Sequence, residues 1–138
     1  MEKIGVSACL LGIHCKYNGG HNLNLNVLKE LIGKEVVLIC PEVMGGLPTP
    51  RIPSEIQSDG HLINQNNEDV TKAFDLGKHL SLKKLKENKV KKVILKDGSP
   101  SCGYKSIYDG SFSQKKIPGQ GVTAQYLLSN NIEVLDIE

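Results

Sequence analysis

The segment from Glu35 to Cys40 reads Glu-Val-Val-Leu-Ile-Cys, an almost unbroken apolar run. A strand with one face in water alternates polar and apolar residues, whereas a continuous run belongs to a strand covered on both faces. Such a strand needs helices above and below its sheet, and the rest of the chain supplies them. Lys3 to Cys9, Val90 to Lys96 (Val-Lys-Lys-Val-Ile-Leu-Lys) and Ile132 to Ile137 (Ile-Glu-Val-Leu-Asp-Ile) read as three further strands. Leu23, Val27, Leu28 and Leu31 recur at helical spacing, with Gly33 as a stop. Val70, Phe74, Leu76, Leu80, Leu82 and Leu85 support a longer helix from Glu68 to Asn88, and Val122, Tyr126 and Leu127 a last one ending near Asn130-Asn131. Strands alternating with helices imply βαβ units with right-handed crossovers. The expected fold is a small three-layer α/β domain, Rossmann-like or flavodoxin-like, with a mainly parallel four-stranded sheet and one domain spanning residues 1–138.

Two long stretches escape this pattern. Pro41 to Asn67 carries no convincing helix, only a candidate hairpin from Ile56 to Ile63 around Asp59-Gly60, and Asp97 to Gly121 is a second long loop. Structureless stretches of that length in a small domain are usually lids or binding loops. Composition narrows the classes. The net charge of +2 is too small to argue for a nucleic-acid polymer or an anionic membrane, and aromatic residues are only 4% with no Trp, a poor base-stacking platform. No apolar run approaches the roughly 20 residues of a membrane helix. Met1 to Val6 leads straight into a strand pattern rather than a signal peptide. The expected compartment is the cytoplasm, where four cysteines point to metal, catalysis or inert burial more than to disulfides.

The placement of those cysteines is informative. Cys9 ends the first strand, Cys40 ends the second, and Cys102 lies in the turn after the third. Parallel strands share one C-terminal edge, about 4.8 Å apart from neighbour to neighbour, and open α/β sheets bind ligands in the crevice there. Three thiols at that edge can converge on one metal centre. A lone free Cys is often just a buried hydrophobe, but three at equivalent strand ends, each beside Gly or Pro, are harder to explain by filling alone. The spacing matches neither paired CxxC knuckles nor a ferredoxin run. Soft thiolates suit zinc, copper(I) or iron–sulfur. Cys15, His14 or His21 would complete a closed four-ligand site, so spacing alone leaves zinc and iron–sulfur equally open.

At these residues the chain resembles the DUF523 family, whose characterised members are thiouracil desulfurases. The resemblance rests on Ser7-Ala8-Cys9-Leu10-Leu11-Gly12, Cys15-Lys16-Tyr17, Cys40-Pro41-Glu42-Val43, Gly45-Gly46-Leu47-Pro48-Thr49-Pro50-Arg51 and Ser99-Pro100-Ser101-Cys102-Gly103. Ile107-Tyr108-Asp109-Gly110 and Gly121-Val122-Thr123-Ala124 complete it. One departure is Lys16-Tyr17-Asn18-Gly19, where the family often has Arg-Tyr-Asp-Gly, which removes a carboxylate at position 18. The resemblance implies a [4Fe–4S] cluster held by Cys9, Cys40 and Cys102 only, with one iron free of protein, and hydrolytic release of sulfide from a small thiolated substrate. Cys15 then stands outside the ligand set. The rival to this reading is a non-enzymatic zinc or iron–sulfur module, structural or redox-sensing.

Glu42, two residues beyond Cys40, is the first candidate acid or base, with a turn-capping carboxylate as its bland alternative. Ser101, beside Cys102, is a candidate for orienting water or substrate. Arg51 is the sole arginine among 17 basic residues. Its fork suits a carboxylate or phosphate, although an internal ion pair to Glu42 or Glu55 explains it as well. Glu55 is a further candidate for facing the crevice. Gly121 and Thr123 open the last helix, whose free N–H groups favour anions, against the plainer reading of a loop and a cap. The oligomeric state is open.

Overall fold

The computed structural model describes residues 1–136. Along them run β1 (Lys3–Ser7), α1 (Leu25–Glu30), β2 (Glu35–Ile39), α2 (Pro41–Met44), β3 (Ser54–Ile56) and β4 (Leu62–Asn64). The chain continues through α3 (Thr71–Glu87), β5 (Lys92–Ile94), β6 (Ser106–Tyr108), β7 (Lys116–Pro118), α4 (Val122–Ser129) and β8 (Glu133–Leu135). The central sheet has the order β2-β1-β5-β8 and every pairing in it is parallel. β3–β4 and β6–β7 are separate antiparallel hairpins. No helix among the described residues is long and apolar enough to cross a membrane.

The apolar run of β2 behaves as its composition requires. Val37 and Ile39 join Val93, Leu95, Leu85, Ala124 and Leu127 under α3 and α4, while Val36 and Leu38 pack on the other face with Ile4, Val6, Ile94 and the α1 residues Val27 and Leu31. Each buried Leu- or Ile-sized side chain contributes roughly 1.5–3 kcal/mol through its removal from water, so this double-sided core is what holds the strand ends in register. Short α1 is set by its cap: the Asn24 side chain accepts hydrogen bonds from the N–H groups of Asn26 and Val27 at 2.9 and 3.2 Å. At the start of α3 the Asp69 carboxylate accepts from the Thr71 N–H at 2.8 Å.

The strands end earlier than their apolar runs suggest. Cys9 falls in a 3₁₀ turn, Ala8–Leu11, just beyond β1, and Cys40 is the extended residue that caps α2. Ile137, at the end of the expected fourth strand, lies outside the described residues. The β3–β4 hairpin forms about Asp59-Gly60 as expected, but two elements escaped the sequence reading. One is α2, a single turn started by Pro41 and too short to show a period. The other is β6–β7, a hairpin of three-residue strands, β6 half-buried and β7 exposed, too short to show alternation.

Two glycines position α2. A Cβ on Gly45 would lie 1.9 Å from the Ala73 carbonyl oxygen, and one on Gly77 would lie 1.9 Å from the Pro41 oxygen. The backbones of α2 and α3 therefore touch, and Cys40 and Glu42 ride on that contact. Gly77→Ala should lower stability by about 2–3 kcal/mol or more, since neither facing atom is a side chain that can yield. Urea denaturation at constant m-value would measure it, and a loss under 1 kcal/mol would contradict the close crossing.

Candidate active site

Three connections leave the C-terminal edge of the sheet, after β1, β2 and β5, and bring Cys9 and Cys15, Cys40, and Cys102 onto the wall of one cavity of about 590 Å³. The Cys102 loop is braced from behind. Its N–H donates to Ser99 Oγ at 2.7 Å. The first amides of α4 also serve it: Val122 N–H donates to the Pro100 oxygen at 3.0 Å, while Thr123 and Ala124 N–H donate to the Ser101 oxygen at 3.0 and 3.1 Å. Gly121 must be glycine there, because a Cβ would meet the Ser101 oxygen at 2.5 Å. That helix start is thus spent on the cysteine loop rather than left open to an anion. Gly121 and Thr123 are not among the cavity-lining residues. Thr123 is fully buried, and its Oγ1 has no hydrogen-bond partner.

Glu42 and Arg51 form a nearly buried ion pair, Arg51 Nε to Glu42 Oε1 at 3.0 Å, with side chains 14% and 7% exposed. The other arginine donors reach the Pro48 oxygen, Thr49 Oγ1 and the Cys15 oxygen at 3.2, 3.1 and 3.0 Å. The internal pairing anticipated as the alternative for Arg51 is the one present. Its guanidinium ties the loop of Cys15 to α2 and has little left to offer a ligand. Glu42 keeps free lone pairs: its Oε2 accepts from Ser101 Oγ at 2.8 Å, and a carboxylate can accept about four hydrogen bonds. The pair Glu42–Ser101 bridges two elements directly beside Cys40 and Cys102.

The thiols differ sharply in their electrostatics. Interaction with the Cys40 and Cys9 thiols, then burial, raises the Cys15 pKa far above the ordinary thiol value. Cys9 is lowered to about 6, first by the Cys15 thiol and further by the Asn22 amide (3.4 Å) and the charge of Lys96. Cys40 is lowered to about 7 by the Cys15 thiol, the N–H of Val43 and the charge of Arg51. Burial pushes the Cys102 thiol up to about 12, despite hydrogen bonds from Ser7 and Ser101. Among the described residues no three His, Cys, Asp or Glu side chains are arranged to hold a metal ion, and the cavity wall has no histidine.

Lys16, Lys96 and Lys116 line the same cavity. Burial, then the neighbouring charges of Lys116 and Lys16, holds Lys96 below the usual ammonium range. The Lys96 Nζ donates to the Asp97 oxygen at 2.7 Å. No sequence pattern links these three lysines: Lys16 follows β1, Lys96 follows β5, and Lys116 opens β7. Glu55, from β3, and Phe112, from the β6–β7 turn, also line the cavity.

A sequence model of the 2-thiouracil desulfurase family matches residues 4–138. The uncharacterized protein YbbK of Bacillus subtilis (strain 168) is 41% identical over 139 aligned positions, covering 94% of this chain and 92% of YbbK. A solved structure of the [4Fe-4S]-dependent thiouracil desulfidase TudS superposes with a TM-score of 0.91 at 41% identity, covering 98% of this chain and 90% of that one.

Proposed function

From the premise that this chain belongs to the 2-thiouracil desulfurase family, we propose that it hydrolyses the C–S bond of a thiolated pyrimidine base or nucleotide and releases the sulfur as sulfide. The observation that carries the reading is the opening of four thiols and the Glu42–Ser101 pair onto one cavity. In this proposal Cys9, Cys40 and Cys102 hold a [4Fe–4S] cluster with one iron free of protein. The donor set fits: all-sulfur ligands suit iron–sulfur as they do zinc, and a four-iron cube needs its thiolates spread further apart than a single ion does. Lys96, and the Arg51 guanidinium behind Cys40, offset the thiolate charge. The Cys102 proton leaves when the cluster binds, as ligation requires.

Bound there, such a cluster supplies a Lewis-acidic iron to the substrate's sulfur. The chain's own groups manage water and protons. Glu42 Oε2 accepts a proton from the water that attacks the thiocarbonyl carbon, and Ser101 Oγ, 2.8 Å away, holds that oxygen and the water in line. Arg51 keeps the carboxylate aimed into the cavity. The protons return as sulfide departs, so thiocarbonyl plus water gives carbonyl plus hydrogen sulfide with no net electron transfer. Lys16, Lys96 and Lys116 suit the phosphate of a nucleotide as point charges.

Protein reconstituted anaerobically should release one sulfide per carbonyl formed from thiouracil or from a thiolated uridine monophosphate. A cluster-loaded preparation that releases sulfide from neither would overturn the reading.

A further inference from the structure

Glu55 is 8% exposed, a carboxylate kept in the wall of the cavity. Its two oxygens are used unequally. Oε1 accepts from the N–H groups of Gly110 and Phe112 at 2.9 and 3.2 Å, across the gap between β3 and the β6–β7 turn. Gln57 strengthens the same clasp, its Nε2 donating to the Gly110 oxygen at 3.1 Å. Oε2 has no hydrogen-bond partner among the described residues. It is not sealed either, because the one described side-chain oxygen both sealed and partnerless belongs to Thr123. A buried carboxylate with one committed and one open oxygen is a half-filled recognition element.

The turn that Glu55 holds carries Phe112 and Gln114, two cavity-lining residues with left-handed backbone, φ 57° and 63°. Non-glycine residues adopt that conformation only where their surroundings impose it, and here the Glu55 carboxylate supplies part of the restraint. Loop position and cavity polarity thus meet in one side chain.

We propose that Glu55 is the specificity-determining acceptor of this site: Oε1 holds the Gly110–Phe112 turn closed beside the ligand, and Oε2 accepts a ring N–H adjacent to the thiocarbonyl. This rests on the thiolated-pyrimidine reading above. Uracil-type rings carry N–H donors beside the reacting carbon, and among the other carboxylates on the wall Asp97 is already taken by the N–H groups of Tyr104, Lys105 and Ser106. Glu42, paired with Arg51 and Ser101, has its remaining lone pairs assigned to the attacking water. Glu55 acts on binding rather than on the proton transfers, so its loss should move KM more than kcat.

The test compares a thiolated pyrimidine with its ring-N-methylated counterpart, in the cluster-loaded wild type and in Glu55→Gln. Glutamine has one acceptor oxygen, which the two turn N–H groups claim, and it turns an NH₂ donor toward the cavity. Wild type should lose between about ten- and a hundredfold in kcat/KM on methylation, as a site with an unfilled charged acceptor does. In Glu55→Gln that ratio should fall to within about threefold, chiefly through KM. Hydrogen exchange at the Gly110 and Phe112 amides should stay near wild type. An unchanged methylation ratio in the variant, or faster exchange at both amides with no change in ratio, would reduce Glu55 to a loop brace and overturn the proposal. Should Glu55→Gln fail to fold, the wild-type comparison decides: equal kcat/KM for the two compounds overturns it. Absence of sulfide release from both compounds in wild type would instead condemn the desulfurase reading itself.

Discussion

Replacement of Cys9, Cys40 or Cys102 by alanine is expected to leave the reconstituted protein with under half the iron of wild type and with no detectable desulfurase activity, while Cys15→Ala retains about four irons and four sulfides per chain, the content of one [4Fe–4S] cluster. The asymmetry follows from where the thiols sit. Cys9 and Cys40 flank their strand ends and are already poised as thiolates, at about 6 and about 7, and Cys102 closes the third side on a loop braced by α4. Cys15 instead acts electrostatically on its two neighbours, and in the proposed ligand set alanine there removes that influence without removing a ligand. In cluster-free protein, Cys15→Ala should raise the thiol pKa values of Cys9 and Cys40 toward the ordinary value. Their alkylation at neutral pH then slows, because less thiolate is present below the raised pKa. One metal per chain that disappears with any of the four cysteines would point to a closed site and end the open-cluster account.

The second large effect is at Glu42. Glu42→Gln is nearly isosteric: its one amide oxygen can still accept from Arg51, while its NH₂ faces Ser101 Oγ, which then accepts instead of donating, so the cavity keeps its shape. What it loses is an anionic oxygen that takes a proton, and removal of a positioned general base costs typically 10²–10⁴-fold in rate. We expect kcat to fall by about that factor at unchanged iron content. Stability should fall too, because Arg51, 7% exposed, loses its counter-charge, and breaking a buried pair from one side costs up to about 3–5 kcal/mol. The two losses are separable: unfolding midpoints report the ion pair, and single-turnover sulfide release on folded, loaded protein reports the base. Full activity in loaded Glu42→Gln would remove Glu42 from the chemistry.

Local pattern made most of the scaffold readable. An unbroken apolar run such as Glu35 to Cys40 needs cover on both faces whatever it packs against, and the i, i+3, i+4 spacing in α3 shows through its lysine-rich surface. The parallel sheet then followed, and with it the shared edge that gathers Cys9, Cys40 and Cys102. Elements shorter than a period left no such trace. α2 is one turn, held in place by the backbone contact between Gly45 and Gly77 rather than by any stripe of its own, and β6 and β7 are three residues each, too short for alternation to show.

The sequence by itself determined the double-sided α/β core and the strand ends at which thiols appear, because those properties repeat within a few residues. Only the tertiary structure decided what each polar group does. Ser101 meets Glu42 across 59 positions, Gly110 meets Glu55 across 55, and the Arg51 guanidinium reaches the Cys15 oxygen across 36. Hydrogen bonds between loops carry no periodicity. The same arginine is equally suited to a ligand or to Glu42 until the packing of α2 on α3 fixes which one lies 3.0 Å away.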